Sequence, residues 1–262
     1  MWQSGPGMLT VSRLSIAHVR GLRLHHPAEV RLGHHGVADD RRFLLLTADG
    51  HVFDGTKLGT LVQVQSEFSR NDSEHLALTF PDGRVVAADV ALAAPMTVTV
   101  YGRNFTARPV IGPWADAMSA FAGTALTLIR VERLDGAMDR HPISIVSDAS
   151  VQNLARHLDP VRPVDARRFR MLVEVAGASP HEEDEWLDRD VRIGEAVVHV
   201  RELDARCVIT TQDPETGLRD IPTLHAIKSY RGLRDGRYLD FGVYAGVLEP
   251  GMIRLGDPVD LV

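Results

Sequence analysis

Cysteine is the rarest residue in this chain that could carry chemistry, because a single thiol, Cys207, is present among 262 residues. One thiol cannot form an intrachain disulfide, and it is too few for a four-cysteine zinc site or an iron–sulfur cluster held by the protein. Any reaction that needs electrons would therefore have to receive them from a separate protein.

Long apolar runs are missing as well. No segment approaches the roughly 20 apolar residues that span a bilayer. The opening residues, MWQSGPGMLTVSRLSI, lack the basic leader and the apolar run of a secretory signal. The sequence therefore predicts a cytoplasmic protein with no membrane partner.

Positive charge is in deficit overall. The chain has 29 Lys and Arg residues against 35 Asp and Glu, a formal net charge of -6 and a pI of about 6.0. This balance excludes a general affinity for nucleic acid or for an anionic membrane surface. Any anion site must be a local concentration of arginine.

Several common functional signatures are absent. There is no Walker glycine loop, no GxGxxG after a strand and no GxSxG elbow, which excludes the kinase, Rossmann dehydrogenase and α/β-hydrolase classes. The adjacent pairs His25-His26 and His34-His35 would point to opposite faces of a strand, and no HExxH spacing accompanies them. We predict no histidine metal site, and we expect the acidic segment HEEDEW (181–186) to be a solvated loop.

The patterns that are present predict a mainly β fold with a few helices, of the α+β class. Short apolar segments alternate with turn residues, as in RFLLLT, Asp49-Gly50 and HVFDG, or in HLALTF, Pro81-Asp82-Gly83 and RVVAADV. Such pairs of segments are typical of β-hairpins. The segments TVTVYG, FTARPVI, LTLIRVE, RMLVEVA, AVVHVRE and MIRLGDPVDLV continue the pattern.

Two helices are predicted within this β framework. The first carries Trp114, Met118 and Phe121 at helical spacing before Gly123. The second begins after Ser147 and Asp148, with an apolar face formed by Val151, Leu154, Ala155 and Leu158. The strand-rich part ends near Gly112-Pro113, so we predict two domains, 8–112 and 113–262.

The segment Arg206-Cys207-Val208-Ile209-Thr210-Thr211-Gln212-Asp213-Pro214 is the most informative part of the chain. An arginine and two hydroxyls beside the lone cysteine favour the thiolate, the form that binds soft metals or attacks electrophiles. The alternative is that Cys207 is a small buried apolar residue, as free cysteines often are.

Arginine recurs in short runs, at Arg20, at Arg41 and Arg42, and at Arg167, Arg168 and Arg170. Guanidinium groups that converge on one cleft would bind a phosphorylated heterocycle. The alternative is pairing with the neighbouring carboxylates of Asp39, Asp40 and Asp165. The helix start at Ser147 and Asp148 also has two interpretations: it could bind a phosphate, or it could be an ordinary N-cap.

The order of the segments resembles the MOSC family joined to its N-terminal β-barrel domain, the arrangement found in the mitochondrial amidoxime-reducing component and its bacterial relatives. The resemblance rests on VSRLSIAHVRGLRL, GVADDRRFLLLTADG, HPISIVSDASVQNLARHL, ARRFRMLVEVAG with EEDEW, ARCVITTQDPETG and FGVYAGVLEPGMIRLGDPVDLV. It covers nearly the whole chain. The resemblance implies a β-barrel-like N-terminal domain packed on a MOSC β-barrel domain.

The resemblance also implies a set of site residues for a molybdenum cofactor (molybdopterin). The cysteine in the RCxxTTxDPxTG context is the protein ligand of molybdenum, which here is Cys207. Arginines of the DR and FR pairs, here Arg41 and Arg170, hold the phosphate and pterin. The full set of implied cofactor-binding residues is Arg20, Gly21, Asp40, Arg41, Ser147, Asp148, Ser150, Arg168, Arg170, Arg206, Thr210, Thr211 and Asp213.

The chain departs from the amidoxime-reducing pattern at two places. Arg20-Gly21 stands where those relatives commonly carry lysine followed by serine or glycine. Phe169-Arg170-Met171-Leu172 stands where they commonly carry F-R-P-N. The loss of the asparagine removes a polar contact, so we expect cofactor affinity or substrate choice to differ.

These observations lead to one leading hypothesis and two alternatives. The leading hypothesis is reduction of an N-hydroxylated or N-oxygenated small molecule by oxygen-atom transfer at a molybdenum held by Cys207. Electrons would come from a separate ferredoxin, flavoprotein or haem protein. The alternatives are sulfur transfer through a Cys207 persulfide and non-catalytic binding or carriage of the cofactor.

Overall fold

The computed structural model describes residues 8–100, 102–132 and 140–262, and strands dominate it, which confirms the predicted mainly β fold with a few helices. The segment MWQSGPG and Tyr101 lie outside the described residues. The strands are β1 (Thr10–Leu14), β2 (Glu29–Gly33), β3 (Gly36–Val37), β4 (Phe43–Thr47), β5 (Val52–Phe53), β6 (Gln65–Arg70), β7 (Glu74–Thr79), β8 (Val85–Asp89), β9 (Ala91–Leu92), β10 (Met96–Val100), β11 (Arg103–Ile111), β12 (Leu126–Val131), β13 (Ile143–Ser147), β14 (Val173–Ala176), β15 (Asp190–Ile193), β16 (Ala196–Ala205), β17 (Asp240–Glu249), β18 (Gly251–Arg254) and β19 (Val259–Leu261). The α-helices are α1 (Trp114–Ala122), α2 (Asp148–Arg156) and α3 (Thr223–Arg231).

The largest sheet has seven strands in the order β1-β14-β13-β17-β16-β15-β19. Its two edges meet, because Val259 N donates to Leu9 O at 2.9 Å and Val11 N donates to Asp257 O at 2.9 Å. These bonds bring the two edges together into a nearly closed barrel, which leaves little of either edge exposed. The barrel core includes Trp186, Ile145 and Val243, all 1% exposed or less.

A second group of sheets is built from the first half of the chain. One follows the path β10-β11-β12-β4-β5, with β9 paired to β11, and another has the order β6-β7-β8. Helix α1 supplies Trp114 and Met118 to their common core, and Trp114 Nε1 donates to Leu76 O at 3.1 Å. A buried tryptophan that keeps a hydrogen bond fixes the helix on this sheet.

Both predicted hairpins and both predicted helices are confirmed. Strands β4 and β5 pair across Gly50, and β7 and β8 pair across Gly83. Helix α1 ends at Gly123, whose φ of 69° suits glycine. Helix α2 ends at Arg156, before the predicted apolar position Leu158.

The sheets change along the chain after Val131, and not at the predicted boundary near Gly112-Pro113. Strand β12 pairs with β4 and β11 of the N-terminal sheet, whereas β1 pairs with β14 of the barrel. The reason is that the N-terminal core needs α1 and the strand that follows it to cover its apolar face. The division into domains 8–112 and 113–262 stays a prediction.

Candidate functional site

A large cavity lies where the N-terminal part meets one end of the barrel, and its volume is about 920 Å³. The N-terminal part contributes loops after β1 and β5, and the barrel contributes β16 and the segments around it. The lining residues are Arg20, Gly21, Arg41, Asp54, Thr56, Arg103, Arg140, His141, Ser144, Phe169, Arg170, Met171, Glu202, Leu203, Asp204, Ala205, Arg206, Cys207, Ile209, Arg234, Asp235, Tyr238 and Tyr244.

Cys207 follows strand β16 and lies on the cavity wall. Its backbone is extended, with φ -118° and ψ -177°, and its carbonyl accepts hydrogen bonds from Thr210 N at 3.3 Å and Thr210 Oγ1 at 3.1 Å. The residue is exposed. Cys207 is therefore not a buried apolar residue, and its thiol can reach a ligand in the cavity.

Arg41 and Arg170, predicted to act together, are in contact. Both adopt left-handed backbone conformations, with φ of 52° and 54°. Arg41 pairs with Asp40 and donates to Arg170 O at 3.1 Å, while Arg170 Nη2 donates to Leu22 O at 2.7 Å. Non-glycine residues at positive φ are uncommon and often occur at functional sites.

Arg206 and Arg20 complete the arginines at this end of the cavity. Arg206 pairs with the buried Asp204, donates to Phe169 O and lies 5.5 Å from the centre of the Phe169 ring. Arg20 Nε lies 3.2 Å from Asp54 Oδ2. Carboxylates and carbonyls thus hold each guanidinium in a fixed position, as preorganised recognition requires.

Gly21 has a steric reason to follow Arg20. Its φ is 88°, and a Cβ built there would lie 3.2 Å from Asp54 Cα. A larger residue would disturb the Asp54 backbone that holds Arg20. The packing against Asp54 therefore explains why glycine follows Arg20 in this chain.

The cavity wall is cationic within an acidic protein. Among the described residues, seven arginines and four carboxylates line it, an excess of three positive charges, whereas the whole chain has a net charge of -6. A local concentration of arginine was the predicted form of an anion site, and the fold provides one.

The predicted phosphate site at the start of α2 is occupied by protein instead. Glu183 Oε1 accepts from Ser150 Oγ at 2.7 Å and from Ser147 N at 3.2 Å, and all three residues are completely buried. Burial raises the pKa of Glu183. Asp148 accepts from Ser12 Oγ at 3.0 Å. These groups do not line the cavity.

The segment HEEDEW (181–186) is therefore not the solvated loop that we expected. Residues Glu182–Trp186 form a short 3₁₀ helix in which Glu183 is 0% and Trp186 is 1% exposed. Within this acidic segment, the carboxyl group of Glu183 accepts hydrogen bonds from the buried start of α2. Trp186 belongs to the barrel core.

Four further predicted residues lie beside the cavity without lining it. Thr210 Oγ1 is 2.8 Å from Thr223 Oγ1, and Thr211 Oγ1 donates to Val208 O at 2.7 Å, so both stabilise the turn after Cys207. Asp213 accepts from the amides of the next turn, which include Thr216 N at 2.8 Å. Arg168 makes two bonds of 2.7 Å to Asp220.

Sequence reasoning did not single out several other residues of the cavity lining. Arg140, His141 and Glu202 form an ion-paired group there, and Tyr238 lies in the turn after α3 beneath the guanidinium groups of Arg234 and Arg237. Isolated polar residues in turns and at strand entries carry no distinctive spacing. His141, Glu202 and Tyr244 lay in segments that we had marked, HPISIVSDASVQNLARHL, AVVHVRE and FGVYA, but none of the three was singled out as a site residue.

Residues 132–260 match the family model described as MOSC domain. This part of the chain is a MOSC domain. The MOSC family is associated with binding of the molybdenum cofactor.

Several curated relatives are named mitochondrial amidoxime-reducing component. Mitochondrial amidoxime-reducing component 1 of Mus musculus is 36% identical over 132 residues, covering 47% of this chain and 37% of that protein. Mitochondrial amidoxime reducing component 2 of Bos taurus is 27% identical over 250 residues, covering 84% of this chain and 72% of that protein. The mouse alignment thus spans little more than a third of its relative.

Two solved structures are also similar. The YUAD protein from Bacillus subtilis is 12% identical with a TM-score of 0.44, covering 99% of this chain and 97% of that one. YiiM from Geobacillus stearothermophilus is 24% identical with a TM-score of 0.35, covering 47% of this chain and 54% of that one.

The residues of the cavity fit a molybdenum cofactor. The group needs a soft protein ligand, which the exposed thiol of Cys207 offers, and donors for a phosphate and a polar ring, which the arginines offer. Among the described residues no cluster of three or more His, Cys, Asp or Glu side chains could hold a metal ion by itself. A metal at Cys207 would therefore need a cofactor that brings its own ligands.

Proposed function

We propose that this chain is a molybdenum-cofactor-dependent reductase of N-hydroxylated or N-oxygenated small molecules, with Cys207 as the protein ligand of the metal. The observation that supports this most directly is an exposed thiol in an arginine-lined cavity within a MOSC domain. The names of the amidoxime-reducing relatives suggest the substrate class.

In this proposal Cys207 binds the metal as a thiolate, and Arg41 and Arg170 hold the phosphate and pterin. The bound cofactor would supply two-electron oxygen-atom transfer. Asp40 and Asp204 hold Arg41 and Arg206, so that both guanidinium groups are positioned before the cofactor arrives.

The chain itself contributes binding and access. The reaction takes up two electrons and two protons for each substrate, and the N–O oxygen leaves as water. Because Cys207 is exposed, a small molecule can approach it from solvent. With one cysteine the chain cannot hold an iron–sulfur cluster alone, so the electrons would come from a separate ferredoxin, flavoprotein or haem protein.

The remaining partners and the location stay predictions. We propose a cytoplasmic protein with no nucleic-acid partner and no membrane partner. Among the described residues, no helix is both long enough and apolar enough to cross a membrane.

Cys207→Ser tests the proposal. A hard alkoxide is a poor substitute for a soft thiolate, so the variant should fold but should not reduce benzamidoxime with an artificial reductant. Circular dichroism checks the fold, and elemental analysis checks molybdenum in both proteins from a molybdenum-replete host. Normal turnover by the variant would contradict the proposal. Folded wild type without molybdenum, but with Cys207 one sulfur atom heavier, would favour sulfur transfer.

A further inference from the structure

Three arginines surround one glutamate on the N-terminal part of the fold, outside the cavity. Glu74 Oε1 accepts a hydrogen bond from Arg42 Nη2 at 3.0 Å and lies 3.8 Å from Arg70 Nε. Glu74 Oε2 accepts from Arg130 Nη1. None of these four described residues lines the cavity, and the cluster has no role in the site described above.

Arg70 and Glu74 form the tip of a β-hairpin. Arg70 is the last residue of β6, Glu74 is the first residue of β7, and the two are paired directly across the strands. Side chains at such paired positions lie on the same face of the sheet, with their Cβ atoms about 5 Å apart. The hairpin tip therefore presents a cation and an anion side by side.

The hairpin tip contacts the segment 39–42 at two points. Arg70 Nη2 donates to Asp39 Oδ1, and Arg42 Nη2 donates to Glu74 Oε1. Asp39 and Arg42 are the residues immediately before and after the pair Asp40-Arg41. The tip thus holds this pair from both sides.

Arg41 lies between the two contacts and needs a fixed backbone. Its φ of 52° is in the left-handed region, which a non-glycine residue keeps only when its surroundings enforce it. Arg41 N donates to Ala17 O, and Ala17 N donates to Asp40 Oδ1 at 2.9 Å. From this conformation the Arg41 side chain lines the cavity and reaches Arg170 O. Loosening residues 39 and 42 would therefore disturb the placement of Arg41 in the cavity.

Burial makes the pairing with Glu74 important. The side chain of Arg42 is 8% exposed, and that of Glu74 is 21% exposed. Burial lowers the pKa of Arg42, and Arg70 acts in the same direction, whereas Glu74 opposes them. Burial would raise the pKa of Glu74, but the hydrogen bonds and charges of Arg130 and Arg42 outweigh it and lower that pKa. Removing the charge of Glu74 would leave Arg42 buried beside other guanidinium groups without this carboxylate, which destabilises the local structure strongly.

We propose that Glu74 and Arg70 are positioning residues, which hold segment 39–42 so that the guanidinium group of Arg41 is fixed in the cavity before a ligand binds. Neither residue contacts the ligand itself. The hold on the segment is a matter of ion pairs within the chain, whereas its effect on the cofactor rests on the proposed function.

Hydrogen exchange of the full chain, purified without cofactor and followed by NMR, tests the hold on the segment. The amide hydrogens of Ala17 and Arg41 are bonded within this region, so their exchange reports its opening. Glu74→Gln should accelerate their exchange about tenfold relative to the amides of β13 and β17. Arg70→Gln should accelerate it about threefold, because Arg70 and Asp39 are more exposed.

Glu132→Gln is the matched control. Glu132 lies 3.0 Å from Arg108 Nε, and among the described residues it forms no ion pair with segment 39–42. It should leave the exchange of Ala17 and Arg41 unchanged. Unchanged exchange in Glu74→Gln and Arg70→Gln, or equal acceleration in β13 and β17, would overturn the proposal. If Glu74→Gln does not fold, Arg70→Gln decides, because its ion pair is partly exposed.

Cofactor retention tests the link to Arg41. Glu74→Gln from a molybdenum-replete host should keep its cofactor about tenfold less tightly than Glu132→Gln, measured as molybdenum content after dialysis. In the Arg41→Ala background, Glu74→Gln should cause no further loss, because the effects of residues that act through one another are not additive. An equal loss with and without Arg41 would show that Glu74 acts elsewhere and would overturn the proposal.

Wild type that binds no molybdenum would count against the proposed function and not against the hold on segment 39–42. In that case the exchange rates of the Ala17 and Arg41 amides decide the proposal alone.

Discussion

The Cys207 end of the cavity and the start of α2 differ in what satisfies their polar groups. Both were predicted to bind the cofactor, and both combine hydroxyl or charged side chains with backbone N–H groups. At α2, Glu183 fills the position that an anion would take, and nothing there faces the cavity. At the Cys207 end, protein groups hold the arginines in place, but the arginines still line an open space.

The comparison shows that the role of a polar cluster can be inferred only when the hydrogen-bond partners of its side chains are known. A group whose partners are all protein stabilises the fold, whereas a group held beside a cavity can also bind a ligand. Mutations in the two regions should therefore affect different measurements. Changes at α2 should lower stability, and changes near Cys207 should lower cofactor content.

The largest expected effect is at Glu183. Glu183→Ala leaves Ser147 N and Ser150 Oγ without their buried acceptor, so the free energy of unfolding should fall by about 3 kcal/mol. Urea denaturation measures the change. The neighbouring exposed Glu185 is the control, and Glu185→Ala should change stability little. A loss of cofactor by folded Glu183→Ala would contradict the expectation that changes at α2 affect stability and not cofactor content.

Arg170→Ala should lower cofactor retention and should change the free energy of unfolding little. The variant removes one of the proposed phosphate-binding groups, so cofactor should be retained about tenfold less tightly, which corresponds to about 1.4 kcal/mol. Molybdenum content after dialysis measures this effect. Arg156→Ala, at the exposed end of α2, is the control. Unchanged retention in Arg170→Ala would remove Arg170 from the proposed clamp.

The pH dependence of stability tests the buried carboxyl group of Glu174, which lies on β14. Burial raises the pKa of Glu174 to about 7, although Arg13 opposes the shift. Because this pKa lies above the ordinary value of 4.5, the contribution of Glu174 to stability is fully present below about pH 4.5 and is lost as the pH rises through about 7.

Glu174→Gln should remove that dependence. Relative to wild type, the variant should gain about 1 kcal/mol of unfolding free energy for each pH unit between pH 5 and pH 7. Denaturation at several pH values measures the difference. A constant difference across this range would mean that Glu174 does not titrate there.

The smallest effect is expected at Asp148. Its carboxylate accepts one bond from Ser12 and lies in the first turn of α2, so Asp148→Ala should cost about 0.5 kcal/mol. Cofactor content should stay at the wild-type level. A clear loss of cofactor would return the start of α2 to the binding site.

Local patterns predicted much of the fold. The hairpins around Gly50 and Gly83, and the end of α1 at Gly123, depend on turn residues close in sequence. Helix α3 was not predicted, because its buried face is short and consists of Thr223, Ala226 and Ile227, of which only Ile227 is a large apolar residue. Closure of the barrel by Leu9 and Val259 was not readable either, since it joins the two ends of the described chain.

Residue type was enough to single out side chains that the structure places on one cavity, but it could not show which polar groups have protein partners. Cys207 and the arginines near it stood out by type and by resemblance. Ser147 and Ser150 had the same sequence signals whether an anion or Glu183 lay beside them. Arg140 and His141 were not predicted, because their common partner Glu202 lies more than 60 residues away in sequence.

X-ray absorption at the molybdenum edge tests the central claim most directly, by counting the sulfur atoms bound to the metal in wild type and in Cys207→Ser. The account predicts that cofactor-loaded wild type has one more sulfur ligand than the loaded variant. The same number of sulfur ligands in both proteins would mean that Cys207 does not bind the metal, and would contradict it.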